Sequence, residues 1–312
     1  MASLRAHAIS FLVRHTFKRQ LIRAQDQDIE HIRRVMGVSI YKVPGDIEIR
    51  EETIGGVPGE WVRVRGSEPA AMLLYLHGGG YFACSPRTHR AATCALARDA
   101  FDVFVPDYRL APEHPFPAAI EDARAVMGAL AERLGSADLA VAGDSAGGGL
   151  ALALMLAERD AGHPLPAAAA LFSPWTDMTV SSSSVTANEH RCAMFTADGI
   201  RRGAETYLGG ADPREPLASP VFADLSGLPP MLVHVSEAEC LRDDGVRVAQ
   251  RAREQGVPVT LRQWPVVPHV WQLFHPFIPE GRVSLAEAGA FLRQHLGAGV
   301  AAPTRRAVGA PQ

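Results

Sequence analysis

The stretch VAGDSAGGGLALALMLAE, Val141 to Glu158, constrains the fold most because it sets a glycine-rich polar turn between two apolar runs. The run before the turn is typical of a buried strand, and the run after it is typical of a helix. Glycines at this density suit close backbone contacts or unusual dihedral angles. The sequence predicts that Ser145 lies on a tight strand-to-helix turn, where a serine is either a helix N-cap or a nucleophile.

Strands and helices alternate along most of the chain. The predicted strands after an initial hairpin are AAMLLYLHGGG, FDVFVPDYR, DLAVAGDS, AAAALFSPW, PPMLVHVS and VTLRQWP, and helical segments separate most of them. Because these runs are apolar throughout, they predict an α/β fold with a mostly parallel central sheet and helices on both faces.

Breaks in this alternation divide the chain into five predicted segments. A helical segment covers residues 1–45, and the first part of the core covers 46–177. An inserted segment covers 178–222, which contains SSSS and GGADPREP but no convincing core strand. The second part of the core covers 223–297. Residues 298–312 are rich in Ala, Gly and Pro without periodicity, which predicts a disordered tail.

Composition excludes several classes of function. The net charge of −3 gives no reason to expect a nucleic-acid partner, and the four cysteines have no metal-ligand spacing. No apolar run is long enough to cross a bilayer. These features predict a cytoplasmic protein with free thiols and no metal.

The first 23 residues combine basic residues with an apolar stripe. At helical spacing, five apolar residues fall near one face: Ile9, Leu12, Val13, Phe17 and Leu21. Such a helix either packs on its own protein or lies on a membrane surface. We expect packing on the protein and no stable membrane association.

Two glycine-rich turns follow predicted strands and carry the chemistry. GDSAG fits the G-x-S-x-G nucleophile elbow, and its place between a strand and a helix favours Ser145 as a nucleophile over an N-cap. The amide of Ala146 would then point at the developing oxyanion. HGGG, His77 to Gly80, also follows a strand, and we expect the amides of Gly78 and Gly79 to donate to the same oxygen. His77 is expected to brace this loop.

A nucleophilic serine needs a base, which follows the serine in this order of triad residues. The later histidines are His163, His190, His234, His269, His275 and His295. His269, in PVVPHVW, is favoured because it lies in the loop after the strand VTLRQWP. His234 falls inside an apolar strand, and His275 remains an alternative.

The acid that orients the base should follow the strand PPMLVHVS. Glu237, Glu239, Asp243 and Asp244 compete for this role. Asp243 and Asp244 lie where the next helix begins, which suits helix capping. Glu239 lies in the loop before that helix and is favoured, while Asp243 stays open.

Several motifs in order resemble one family. YLHGGGY, PDYRLAPEHPFPAAIEDA, GDSAGGGLALAL, SPWTD and PHVWQLF, within Val57 to Leu296, are similar to motifs of the hormone-sensitive-lipase-like bacterial carboxylesterases. The resemblance implies the α/β-hydrolase fold and a cap built from the N-terminal helices and the inserted segment. It also implies a serine carboxylesterase for small-molecule esters with short or medium acyl chains. The role of Ser145 as nucleophile and His269 as base would carry over, with Gly78, Gly79 and Ala146 as the oxyanion hole.

This sequence departs from the family pattern at the acid. The family usually has DPLRD where this chain has ECLRD, so Glu239 aligns with the family aspartate and Asp243 with a supporting acid. The resemblance also makes DYRLAPEHPFP a structural block that braces the oxyanion loop.

Neighbouring aromatic residues are candidates for the substrate pocket. Tyr81, Phe82 and Trp271 are expected to bind substrate, and Trp175 is either a pocket wall or core. The proposed chemistry needs no cofactor. An amidase, an acyltransferase and a non-catalytic binder are the alternative functions, and a homodimer is a candidate assembly by analogy with the family.

Overall fold

An eight-stranded sheet forms the centre of the computed structural model, which describes residues 2–24, 29–67, 71–134 and 138–297. The predicted tail at 298–312 lies outside the described residues. The strands are β1 (Ile47–Ile54), β2 (Val57–Val64), β3 (Ala71–Leu76), β4 (Phe101–Pro106), β5 (Leu139–Asp144), β6 (Ala169–Phe172), β7 (Met231–Ser236) and β8 (Val259–Trp264).

The strand order is β1-β2-β4-β3-β5-β6-β7-β8. The β1–β2 and β2–β4 pairs are antiparallel, and every pair from β4 to β8 is parallel. This confirms the predicted α/β class with a mostly parallel sheet. The carboxyl ends of the parallel strands meet at one edge, where reactive loops of such sheets lie.

The described part of the chain also forms ten α-helices. They are α1 (Leu4–Val13), α2 (Arg19–Ala24), α3 (Ile29–Met36), α4 (Pro86–Ala97), α5 (Ala118–Leu134), α6 (Ala146–Asp160), α7 (Ser183–Ala187), α8 (Ala197–Leu208), α9 (Arg242–Glu254) and α10 (Pro279–His295). A π-helical turn, Arg14–Lys18, joins α1 to α2, and 3₁₀ turns occupy Pro220–Phe222 and Trp271–Phe274. None of the described helices is both long and apolar enough to span a membrane.

Helices cover both faces of the sheet. Side chains of β3 alternate between two cores: Leu74 and Leu76 pack with residues of α5, α6 and α9, whereas Leu73 and Tyr75 pack with residues of α4 and α10. Burial on both faces explains why the parallel strands are apolar throughout rather than alternating.

Helix α6 lies deepest, and every residue from Ala146 to Glu158 is buried. Its first turn approaches the sheet too closely for any side chain. A Cβ atom added at Gly147 would lie 2.0 Å from the carbonyl oxygen of Leu76, and one added at Gly143 would lie 2.3 Å from the carbonyl oxygen of Gly147. These two glycines are therefore needed for backbone packing.

The N-terminal helices pack on the protein mostly with the predicted face: Val13 and Leu21 are buried, Ile9 and Phe17 are half-buried, and Leu12 is the exception. Ala6 is also buried, whereas Leu12 is 54% exposed and Phe11 is 65% exposed. The buried line of α1 follows the seven-residue spacing of Ala6 and Val13. Leu12 lies about 100° around the helix from Val13 and so leaves that line.

We predict that Gly147→Ala lowers the free energy of unfolding by about 2 kcal/mol, because the added methyl group must displace the backbone of β3. The measurement is urea unfolding of the two proteins. Gly128→Ala is the matched control, since Gly128 is also a helical glycine but has nothing within 4 Å of its added Cβ. The control should gain about 0.5–1 kcal/mol from helix propensity. Equal stability of Gly147→Ala and wild type would contradict the packing role.

Candidate active site

Ser145 lies on the sharp turn between β5 and α6. Its φ of 53° and ψ of −122° are rare for a residue with a side chain, and its side chain makes no capping bond to α6. The turn is fixed by backbone hydrogen bonds: the Ser145 amide donates to the Phe172 carbonyl at 2.8 Å, and the Trp175 amide donates to the Ser145 carbonyl at 2.9 Å. The N-cap alternative is therefore not supported, and the backbone has the strained form of a nucleophile elbow.

His269 and Glu239 are joined by a short hydrogen bond. His269 Nδ1 lies 2.5 Å from Glu239 Oε2, and both side chains are buried. Because a carboxylate only accepts, the proton lies on Nδ1 of His269. Nε2 then carries the free lone pair, and this buried atom has no hydrogen-bond partner among the described residues.

Glu239 is itself held on two sides. Its other carboxylate oxygen accepts from the Ser236 amide at 2.7 Å, and the Asn188 side-chain amide donates to the Glu239 carbonyl at 2.9 Å. Asn188 belongs to the inserted segment and Ser236 ends β7. The acid is therefore fixed both by the core and by the segment inserted into it.

Burial and charge compete at the imidazole. Burial disfavours the charged form of His269, but the hydrogen bond and the negative charge of Glu239 favour it. Their sum raises the pKa of His269 above its usual value. Glu239 thus stabilises the imidazolium that would form when His269 takes a proton.

Asp243 and Asp244, the alternative candidates for the acid, form hydrogen bonds with other groups. Asp243 accepts from the Ser183 hydroxyl at 2.6 Å and from the Ser184 amide at 2.9 Å, at the start of α7. Asp244 accepts from the Thr176 amide at 2.9 Å, and its burial raises its pKa to about 7. Both carboxylates bind neighbouring loops, so the geometry favours Glu239 as the partner of His269.

The HGGG loop differs from expectation at its first glycine. The Gly78 amide donates to Asp144 Oδ1 at 3.2 Å, and a Cβ at Gly78 would lie 2.2 Å from Asp144 Oδ2. Its amide therefore faces Asp144 and not a substrate oxygen. Gly79 and Gly80 line the cavity together with Ser145, and their amides donate to no other group in the described parts of the chain. The bond to Asp144 argues against Gly78 as a donor to the substrate, and Gly79 and Gly80 are the glycines of this loop that line the cavity.

His77 anchors the HGGG loop through contacts with Tyr108. Its ring stacks on Tyr108 with centroids 4.3 Å apart, and the Tyr108 hydroxyl donates to the His77 carbonyl at 2.6 Å. Burial, assisted by the neighbouring His89, lowers the pKa of His77 to about 3, so this imidazole is neutral near pH 7. These contacts agree with a bracing role.

A cavity that is partly open to solvent adjoins Ser145. Its walls come from three parts of the chain. The N-terminal segment provides Leu21, Ile29, Ile32 and Met36. The inserted segment provides Phe195, Gly199, Ile200, Arg202, Gly203 and Thr206. The core provides Gly79, Gly80, Phe82, Ser145, Trp175 and Leu241.

The predicted pocket aromatics divide into two groups. Phe82 and Trp175 line the cavity. Tyr81 lies behind it, with its ring 3.7 Å from that of Tyr207, so its packing is part of the core. Trp271, which was expected to bind substrate, does not line this cavity. It is fully buried, packs with a separate apolar cluster and has its Nε1 atom 3.3 Å from the Glu280 carbonyl.

Sequence reasoning missed Phe195, which lies in the inserted segment outside any motif. Its ring meets His269 edge-on with centroids 5.0 Å apart and also lines the cavity. The alternative base His275 contacts the Ala91 carbonyl at 2.9 Å, and His234 contacts Ser284. Neither bonds to an acid of the Glu239 loop.

Comparisons with known proteins agree with this geometry. The family model described as alpha/beta hydrolase fold matches residues 73–273. An acetyl-hydrolase of Streptomyces hygroscopicus is 46% identical, over 82% of this chain and 85% of that protein. An esterase of Acinetobacter venetianus is 35% identical, over 78% of this chain and 82% of that protein.

Solved structures show the same likeness. The crystal structure of an esterase from the bacterial hormone-sensitive lipase family superposes with a TM-score of 0.89 at 38% identity, covering 95% of this chain and 100% of the other. On these similarities, the chain belongs to the hormone-sensitive-lipase-like family of ester hydrolases with the α/β-hydrolase fold.

Proposed function

We propose that this ester hydrolase is a serine carboxylesterase that works through an acyl-enzyme, with Ser145 as nucleophile, His269 as base and Glu239 as acid. The observation that carries the proposal is the 2.5 Å contact between Glu239 and His269, which leaves Nε2 of the histidine free. Ser145 meets the other requirement, a serine on a strained turn that borders a cavity.

In the first half-reaction, Nε2 of His269 takes the proton of the Ser145 hydroxyl as its oxygen attacks the ester carbonyl. Glu239 holds the imidazole in the required tautomer and stabilises its positive charge. The negative charge that develops on the carbonyl oxygen would be met by the amides of Gly79, Gly80 and Ala146. Each such donor contributes roughly 3–4 kcal/mol to lowering the barrier.

Collapse of the tetrahedral intermediate breaks the bond to the alcohol, which leaves with the proton from His269. Water then enters, gives a proton to His269 and attacks the acyl-enzyme, and the acid product leaves as Ser145 regains its proton. The proposed steps use only side chains and backbone amides of this chain.

The cavity supports a substrate with an apolar acyl group of short or medium length. Most of its lining is aliphatic or aromatic, which favours apolar groups over charged ones. We infer that residues 1–45 and 178–222 act together as a cap, since both line this cavity. An amidase would use the same groups, and the esterase among the relatives favours ester substrates.

Ser145→Ala should abolish hydrolysis of p-nitrophenyl butyrate while the fold stays intact, because no other described side chain occupies the elbow. A phosphonate ester should add once to the wild type, on the peptide that contains Ser145, and not to the variant. Intact mass and peptide mapping measure both. An adduct elsewhere, or a fully active variant, would overturn the proposed nucleophile.

Glu239→Gln should lower kcat on the order of 10⁴-fold, because the amide cannot both accept from Nδ1–H and stabilise the imidazolium. Asp243→Asn is the matched control, since Asp243 follows closely in the chain but bonds to Ser183 and Ser184. Steady-state kinetics on the same ester compares them. A larger loss in Asp243→Asn than in Glu239→Gln would reverse the assignment of the acid.

The pH dependence should follow the raised pKa of His269. Only the neutral imidazole accepts the serine proton, so kcat/KM should fall as the pH drops through a pKa above the ordinary value of about 6.5. In Glu239→Gln the largest causes that raise the pKa of His269 are removed while burial still lowers it. The acidic limb of the pH profile of the residual activity should therefore move to lower pH. A limb at the same pH in both proteins would mean that another group controls it.

A further inference from the structure

Helix α1 has an apolar side that the other described parts of the chain leave largely uncovered. Leu4 is 88% exposed, and Phe11 and Leu12 are also mostly exposed. Ala6 and Val13, on the opposite side of the helix, are buried. Leu4 and Phe11 are seven residues apart and so lie on one line along the helix, with Leu12 beside that line. The helix is therefore apolar on two sides, and the fold uses only one of them.

Exposed basic residues continue this outward side into α2. His15 follows Phe11 at the four-residue spacing of a helix face, and their rings lie 4.0 Å apart. Arg19 and Arg23 follow at the same spacing, are exposed and form no ion pair with an acidic side chain of the described residues. Before Asp26 the sequence has five Lys or Arg residues and no Asp or Glu, although its net charge is −3. The outward side is therefore basic as well as apolar.

The inner side of this segment is fastened to the protein at both ends. The Ser3 amide donates to the buried carboxylate of Glu280 at 2.6 Å, at the start of α1. Near the start of α2, the Lys18 ammonium donates to the carbonyls of Glu189 at 2.8 Å and of Cys192 at 3.0 Å. The helix is thus already folded and held, so a partner that binds its outward side need not order it.

We propose that the outward side of α1 and α2, formed by Leu4, Phe11, Leu12, Arg19 and Arg23, binds the surface of an anionic phospholipid bilayer. The apolar side chains enter the boundary between headgroups and acyl chains, and the arginines meet phosphate groups. Charge selects this occupant, because the segment is basic and the lipid surface is negative. A second copy of the segment would instead set arginine against arginine. The helices lie on the bilayer and do not cross it.

This inference differs from the sequence-based expectation of no stable membrane association, which considered only the apolar stripe that packs on the protein. The exposed line through Leu4 and Phe11 is a second apolar feature of the same helix. Leu21 of α2 lines the cavity beside Ser145, so binding through this segment would hold one wall of the cavity close to a lipid phase, in which apolar esters dissolve. That consequence rests on the proposed function, whereas the binding itself does not.

The test is co-sedimentation of the full-length protein with vesicles of two parts phosphatidylcholine and one part phosphatidylglycerol, compared with vesicles of phosphatidylcholine alone. The wild type should bind the anionic vesicles more tightly, and added salt should weaken this binding. Leu4→Gln with Phe11→Gln should lower the partition coefficient at least about tenfold, since two exposed apolar side chains no longer enter the lipid. Arg19→Gln with Arg23→Gln should lower it roughly 25-fold, at about fivefold for each cation near the surface.

Matched variants separate these effects from damage to the fold. Arg19→Lys with Arg23→Lys keeps both charges and should bind within a few-fold of wild type. Arg65→Gln with Arg253→Gln makes the same change in net charge elsewhere, at exposed residues that donate to the Gly45 and Val259 carbonyls, and should also bind like wild type. Hydrolysis of p-nitrophenyl butyrate, a soluble ester, should be unchanged in all of these variants, which shows that they are folded.

Three results would overturn the inference: no binding of the wild type to anionic vesicles, equal binding to both kinds of vesicle, or unchanged binding after the glutamine substitutions in α1 and α2. Sedimentation velocity tests the other occupant, since a wild-type dimer that Leu4→Gln with Phe11→Gln abolishes would assign this surface to a second copy of the chain. Ser145→Ala should bind vesicles like wild type. Loss of hydrolysis and loss of vesicle binding are therefore separate results, and each rejects only its own proposal.

Discussion

The close approach of α6 to the sheet is the constraint on which the rest of the structure depends. Gly143 and Gly147 allow backbone to meet backbone at a distance that no side chain permits. This approach puts Ser145 on a turn too tight for ordinary dihedral angles, and hydrogen bonds from the surrounding loops keep it there. The strain is tolerated because the helix behind it is buried along its length and cannot relax without unpacking the core.

Asp144, the residue before the serine, couples this turn to the HGGG loop. Its buried carboxylate accepts from the Tyr75 hydroxyl at 2.7 Å and from the Gly78 amide at 3.2 Å, and it lies 3.2 Å from His89 Nε2. A buried carboxylate is costly unless its oxygens are bonded. The same contacts that satisfy Asp144 thus position the HGGG loop beside the cavity, so this loop and the turn that carries the proposed nucleophile are held as one unit.

The sequence predicted what depends on chain periodicity and local motifs. The parallel sheet, the elbow at Ser145 and the favoured pairing of His269 with Glu239 all follow from where loops leave strands. The sequence did not show that Gly80, and not Gly78, lines the cavity, because this depends on which amide of the loop donates to Asp144. Trp271 was misplaced because an aromatic residue in the loop of His269 can point into either the cavity or the core. Phe195 carries no motif signal, because packing alone places it.

Helix α3 has no buried residue among those described, so polar contacts rather than dense packing hold it. Arg33 of α3 donates to the Phe82 carbonyl at 2.8 Å and to the Ala111 carbonyl at 3.0 Å, and it pairs with Glu113. These bonds fasten a cavity-lining helix directly to the chain that follows the HGGG loop. Because a half-exposed ion pair contributes little alone, its main effect is to orient α3. Changes in α3 can therefore alter this wall of the cavity while Glu239 and His269 keep their bonds to each other and to β7.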